Sequence, residues 1–190
     1  MRKTCFLFVF LALLFNACSK DEQADQQMPE ASKYGDQARV LTGEPAFPAL
    51  EKSWIIDKAN AVSLEVERTA DAVLQSLQDD GLAEVVVLII TGVKKPGDYA
   101  TQYGRFLQLG KAGPASDGGN RGIVWLVRPD ADEKMTISVG RGLPGFTSQD
   151  YGEIMDAVGD YCQFNNYDKC VQRLAEKTSE VLRRLQKVKP

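Results

Sequence analysis

The residues best placed to do chemistry fall in three loops. Gly140-Arg141-Gly142-Leu143-Pro144-Gly145 follows an apolar run and matches a GxGxxG spacing. Ser116-Asp117-Gly118-Gly119-Asn120 precedes another apolar run and sets two oxygen-bearing side chains among glycines. Asp57 ends a third run, Trp54-Ile55-Ile56. A dinucleotide needs such glycines to open straight into a helix whose N-terminus meets the pyrophosphate. Here Pro144 interrupts, the next helical pattern begins only near residue 148, and the downstream sequence is helical where a strand should carry the ribose-binding acid. Residues 116–120 lack Gly-Lys-Ser/Thr and lead into a strand, so no P-loop is present there. Asp, Asn and carbonyl oxygens do suit Ca²⁺ or Mg²⁺. Asp57, Asp117 and Asn120 are therefore the candidate metal ligands, with Gly140, Gly142 and Gly145 letting backbone approach closely. The same side chains have a plainer use, capping the turns in which they sit, and spacing leaves both uses open.

Composition narrows the chemistry further. The 190 residues include no histidine. That removes Ser-His-Asp and Cys-His catalysis and His-ligated zinc. A net charge of −3 does not suggest a polyanion-binding surface, so no nucleic acid partner is expected. With 44% hydrophobic and 26% charged residues the chain has ordinary globular composition, enough for one domain and extensions.

The N-terminus reads as an export signal. Met1-Arg2-Lys3 is basic, and residues 5–15 are apolar over about half the roughly 20 residues that a spanning helix needs. Leu14-Phe15-Asn16-Ala17-Cys18 resembles a bacterial lipobox, with Cys18 lipidated as the new N-terminus. Buried acyl carbons contribute about 0.8 kcal/mol each, so such a chain partners the membrane through its lipid. Cys18-Ser19-Lys20-Asp21-Glu22 also resembles the surface-export signal of Bacteroidetes lipoproteins. The expected place is the bacterial cell envelope, at the outer membrane, surface-exposed or periplasmic. The organisation expected is a signal at 1–17, a polar flexible tether at 18–50, and a folded domain at 51–190.

Within that domain the hydrophobic periods alternate. Residues 53–56 make a short strand, and Ser63 can cap a helix with Val66, Ala70, Val73, Leu74 and Leu77 on one stripe, stopped by Gly81. Residues 83–91 are a continuous β-branched run, fit for a strand buried on both faces. A Tyr-rich helix follows with Tyr99, Tyr103, Phe106 and Leu107 on one side, where periodicity favours the core. Strands at 122–128 and 134–140 form a hairpin, which brings Asp117 and Asn120 beside residues 140–145. If the first strand runs parallel to the second, Asp57 leaves at the opposite edge. Two helices close the chain, one with Tyr151, Ile154, Met155 and Val158, the other with Val171, Leu174, Thr178, Leu182 and Leu185. The expected fold is α/β, a three-layer α/β/α sandwich over a central mixed sheet of about four strands.

Of four cysteines, Cys5 leaves with the signal and Cys18 carries lipid, leaving Cys162 and Cys170. Along an unbroken helix that spacing spans about 12 Å, too far for a bridge. A disulfide therefore requires the chain to turn between them, and Asn165-Asn166 is suited to the turn.

These segments together resemble the TPM domain, whose pattern runs Val-Asp-x-Ala-x-x-Leu-Ser, an apolar strand, a Tyr/Phe helix ending in Gly, Asn-Gly before a strand, then Val-Gly-x-Gly-Leu-Glu-Gly. Here it reads Ile56-Asp57-Lys58-Ala59 onward, the β-branched run, the Tyr helix to Gly110, Asn120-Arg121-Gly122, and Val139-Gly140-Arg141-Gly142-Leu143-Pro144-Gly145. Phe164-Asn165-Asn166-Tyr167 fits the closing turn. Arg121 separates Asn from Gly, Pro144 replaces the acid, and Cys170 stands where Gly commonly follows the Tyr. The resemblance implies the sandwich fold, and in some members divalent-metal binding or weak phosphomonoester hydrolysis. Two functions follow as expectations: a non-enzymatic, lipid-tethered module that binds a divalent metal or an envelope protein partner and modulates membrane complexes, or a metal-assisted phosphatase. The first is preferred, because no convergent catalytic set is visible.

Overall fold

Six residues without polar alternation must be covered on both faces. In the computed structural model, which describes residues 38–39, 41–50, 52–110 and 120–187, the run EVVVLI meets that demand as β2 (Glu84–Ile89). Its residues Val85, Val86, Val87, Leu88 and Ile89 are completely buried. β1 (Ile55–Asp57) lies parallel on one side and β3 (Gly122–Val127) parallel on the other. β4 (Met135–Val139) returns antiparallel to β3, giving a mixed sheet in the order β1-β2-β3-β4.

Parallel neighbours need crossovers, and α1 (Leu64–Asp79) and α2 (Pro96–Phe106) supply them. α1 packs with α4 (Tyr167–Lys187), and α4 with α3 (Ser148–Gln163), on one face. On that side the Trp125 indole N–H donates to Thr178 Oγ1 at 3.1 Å and the ring stacks on Tyr151. α2 lies on the other face over β3 and β4, where Thr101 meets Ser138. The result is the expected three-layer α/β/α sandwich. Both crossovers step the same way across the sheet while their helices take opposite faces, so the two are of opposite hand, a departure from the usual right-handed rule.

Sequence reading misses two local features. Residues 41–50, assigned to the flexible tether, lie against the domain: Leu41, Phe47 and Leu50 pack on the core. The Phe47 ring sits 5.0 Å from Tyr99, 5.8 Å from Tyr103 and 5.5 Å from Phe106. Tyr99 and Tyr103 donate their hydroxyls to the Ala46 and Pro48 carbonyls, and burial pushes both phenols well above the ordinary value. A strap with two prolines has no period to betray it. Ser63 does occupy the N-cap of α1, but its side chain caps nothing; its amide donates to Asp168 instead. The signal, Cys18 and the tether before residue 38 lie outside the described residues. No helix among the described residues is long and apolar enough to cross a membrane.

The helix break between α3 and α4 closes the disulfide. Asn165 takes φ +60°, the chain reverses, and Cys162 and Cys170 are bridged with Cα atoms 5.1 Å apart. Met135 Sδ packs on both sulfurs, at 3.1 and 3.9 Å. A loop this short contributes about 2–3 kcal/mol through the unfolded chain. The double variant Cys162→Ser/Cys170→Ser should therefore melt roughly 5–10 °C lower by circular dichroism. An unchanged midpoint would mean that helix packing alone holds the turn.

Candidate functional site

Because β4 runs antiparallel to β3, the start of one and the end of the other share a sheet edge. Asn120 stands there, two residues ahead of β3. Its backbone carbonyl accepts from Gly142 N–H at 2.7 Å, and its Oδ1 accepts from Gly122 N–H at 3.1 Å. A Cβ on Gly140 would lie 2.2 Å from both Asn120 oxygens, and one on Gly142 2.8 Å from Asn120 backbone. These two glycines are required because Asn120 is laid across them. Gly145 differs, since a Cβ there would make ordinary contact with Leu185 at 3.8 Å. Asp117 lies outside the described residues.

A cleft of about 440 Å³ opens on the α2 side of this edge. Its polar wall is Thr101, Arg105, Asn120, Ser138 and Arg141. Thr101 Oγ1 and Ser138 Oγ are 3.2 Å apart, joining α2 to β4. Arg105 and Arg141 are exposed, and among the described residues neither has a carboxylate partner. On the other side of the glycine loop an apolar groove of about 380 Å³ runs past Leu82, Leu143, Phe146, Leu182 and Leu185. Thr101 and Arg105 carry the i, i+4 spacing of a helix face, and Ser138 alternates with Ile137 and Val139. Those two signals were present in the sequence, but only the packing of α2 over β4 joins them.

The loop ends in a capping box. Thr147 and Asp150 exchange side-chain and backbone hydrogen bonds at the start of α3, and Arg184 from α4 pairs with Asp150 at 2.7 Å. Burial disfavours the Asp150 charge, but the hydrogen bonds from Thr147 and the Arg184 guanidinium outweigh it and hold the carboxyl below its ordinary value.

Asp57 is elsewhere. It aligns with Ile89 at the edge where β1 and β2 end, whereas Gly122, just after Asn120, aligns with Glu84 at the other. Five residue steps of strand put the two edges about 16 Å apart. A calcium or magnesium ion needs its ligands within about 2.0–2.6 Å, so Asp57 and Asn120 do not share one. That corrects the expected three-ligand set. The Asp57 carboxylate instead accepts amide N–H groups from Ala59, Ala61 and Val62 at 2.9, 2.6 and 2.8 Å. Partial burial, and then the Asp57 charge, raise the carboxyl of Glu67 above its ordinary value. Among the described residues no three of Cys, Asp and Glu gather to hold a metal.

Against known proteins, the model of the TPM domain matches residues 55–181. Two solved structures share the fold. One is the N-terminal domain of the cg2496 protein from Corynebacterium glutamicum, with TM-score 0.51, 14% identity, and coverage of 75% of this chain and 86% of that one. The other is the BA42 protein from the psychrophilic Bizionia argentinensis, with TM-score 0.51, 16% identity, and coverage of 68% and 86%. No curated protein matches the chain.

Two predictions test this geometry. Gly140→Ala should cost about 1–3 kcal/mol in denaturant unfolding, because Asn120 must move, whereas Gly145→Ala should stay within about 0.5 kcal/mol. Equal effects would mean that Asn120 does not pin the loop. Asp150 has a depressed folded pKa, so its contribution is present above the unfolded value of about 3.9 and is lost as pH falls through the folded one. Asp150→Asn should therefore melt below wild type at pH 7, with the gap closing below about pH 4. A gap independent of pH would show that the charge is not what stabilises this cap.

Proposed function

The chain belongs to the TPM domain family, and from that premise we propose that it acts as a lipid-anchored binding module of the bacterial cell envelope, holding a partner protein near the membrane. The observation that carries the reading is the distribution of charge around the glycine loop. Of the two carboxylates nominated for chemistry, Asp57 stands at the far edge with three amides on it, and Asp117 lies outside the described residues. The cleft beside the loop presents two guanidinium groups and two hydroxyls, which recognise an anionic group. The lipobox at Cys18 and the export pattern after it support the placement at the outer membrane.

A metal-assisted phosphomonoesterase is the competing reading. It would rest on Asp117 and Asn120 holding Ca²⁺ or Mg²⁺, which polarises a phosphoryl oxygen when bound, with Arg105 and Arg141 steadying the phosphate. Asn120 enters that reading with its Oδ1 already accepting from Gly122.

Two assays separate the readings. The protein is melted in EDTA and again in millimolar Ca²⁺ or Mg²⁺, and is offered p-nitrophenyl phosphate. The binding module predicts no turnover, and an ion-dependent shift without turnover would leave it standing as a module that also holds a metal. An ion at about 100 times its Kd would raise the midpoint by roughly 5–10 °C. Such a shift, with turnover lost in Asp117→Ala, would replace the module by the enzyme. Separately, Cys18→Ser should release the chain from the membrane fraction.

A further inference from the structure

An edge strand exposes half of its backbone, and β4 is one: among the described residues nothing pairs with its outer side. Which groups point outward follows from the ladder. Gly140 N–H donates to the Gly122 carbonyl, and Arg128 N–H donates to the Lys134 carbonyl. With Val124 opposite Ser138 and Leu126 opposite Thr136, the alternation of antiparallel pairs turns Met135, Ile137 and Val139 away from β3. Their N–H and C=O groups are in line for another strand. Natural edge strands are guarded by proline, by inward charge or by a bulge. Met135-Thr136-Ile137-Ser138-Val139 contains neither proline nor charge.

We infer that β4 and the adjoining cleft form a docking edge for an extended polypeptide that alternates acidic and apolar residues, bound by strand addition. The alternation follows from the two faces of the sheet. Beside Ser138, on the α2 face, an added strand would place side chains toward Arg105 and Arg141, which lack carboxylate partners among the described residues. On the opposite face, Ile137 and Val139 are half-buried, and apolar side chains of the newcomer would complete their cover. A second copy of this chain fits less well. Two-fold pairing about Ile137 would set Arg141 of each copy opposite Glu133 of the other and leave Arg105 without an acid in that register, whereas an alternating acidic strand meets both guanidinium groups. The inference rests on the binding-module reading and names the chemistry of its partner.

The probe is a fluorophore-labelled peptide, Glu-Val-Glu-Val-Glu-Val-Glu with blocked ends, titrated by anisotropy against the full chain in detergent. Binding should weaken at least tenfold in Arg105→Glu/Arg141→Glu, fall with added salt, and vanish when the pairing amides of the peptide are N-methylated. N-methylation leaves the protein untouched, so a folding defect cannot imitate it. Ile137→Pro, which removes an outward N–H and no ladder bond, should also abolish binding. No binding at millimolar peptide, or equal binding of the methylated peptide, would overturn strand addition. A dimer in sedimentation that Ile137→Pro dissociates, without peptide binding, would assign the edge to a second copy. Any of these results leaves the module reading standing if p-nitrophenyl phosphate is not turned over; turnover would remove that reading whatever the peptide does.

Discussion

The parallel alignment of β1 with β2 is the constraint on which the rest of the molecule depends. It places the end of β1, and with it Asp57, at the edge opposite the start of β3. It obliges the chain to cross back through α1, whose stripe of Ala70, Leu74 and Leu77 then helps to cover β2 on one face. With β1 against residues 87–89, β3 along its full length and both faces of residues 85–89 buried, β2 is the strand against which the later elements are positioned. The cost of leaving any of its amides unpaired would be about 1–3 kcal/mol each, so the register tolerates little slippage.

Most of this order is legible in the residues. A β-branched run of this length has few alternatives to a central strand, and Tyr99, Tyr103 and Phe106 repeat at a helical period whose buried side the structure confirms. The disulfide pair is what remains once Cys5 and Cys18 are assigned to the N-terminal signal, and distance then demands the helix break that lets Cys162 and Cys170 meet. Three things resist such reading. The strap at 41–50 makes its contacts through Leu41, Phe47 and Leu50, spaced without period around two prolines. The direction of a three-residue strand is not written in it, so the fate of Asp57 depends on pairing. The cleft unites a helix face with alternate residues of a strand that lie more than thirty positions away, and no local pattern encodes that union.

The glycine loop carries a more general lesson. A GxGxxG spacing invites a ligand because glycine admits close approach, but the approach need not come from outside. Here the atoms that a Cβ would strike belong to Asn120 of the same chain. Asp57 repeats the point with charge, since its oxygens meet three amides of the loop that follows it. Residue types that could hold an ion are equally able to hold a turn, and hydrogen-bond accounting decides between them. At both edges of the sheet it assigns these side chains to backbone.

The same accounting shows what fixes the cleft. Its α2 wall, with Thr101 and Arg105, is held through the side of the helix that bears Tyr99, Tyr103 and Phe106. Those rings pack on Phe47 of the strap, while the Glu44 carboxylate accepts the amides of Lys94 and Lys95 just ahead of Pro96. Arg39 adds its amide to Gln102. The strap thus clamps α2 from the residues just ahead of it to its last turn, and the shortest of its hydrogen bonds, at Lys94, is 2.8 Å. Without it the aromatic side would face water and the helix would keep only its contacts with β3 and β4. The segment that leads toward the N-terminus therefore sets the position of the cleft's helical wall. The strap is part of the site's architecture.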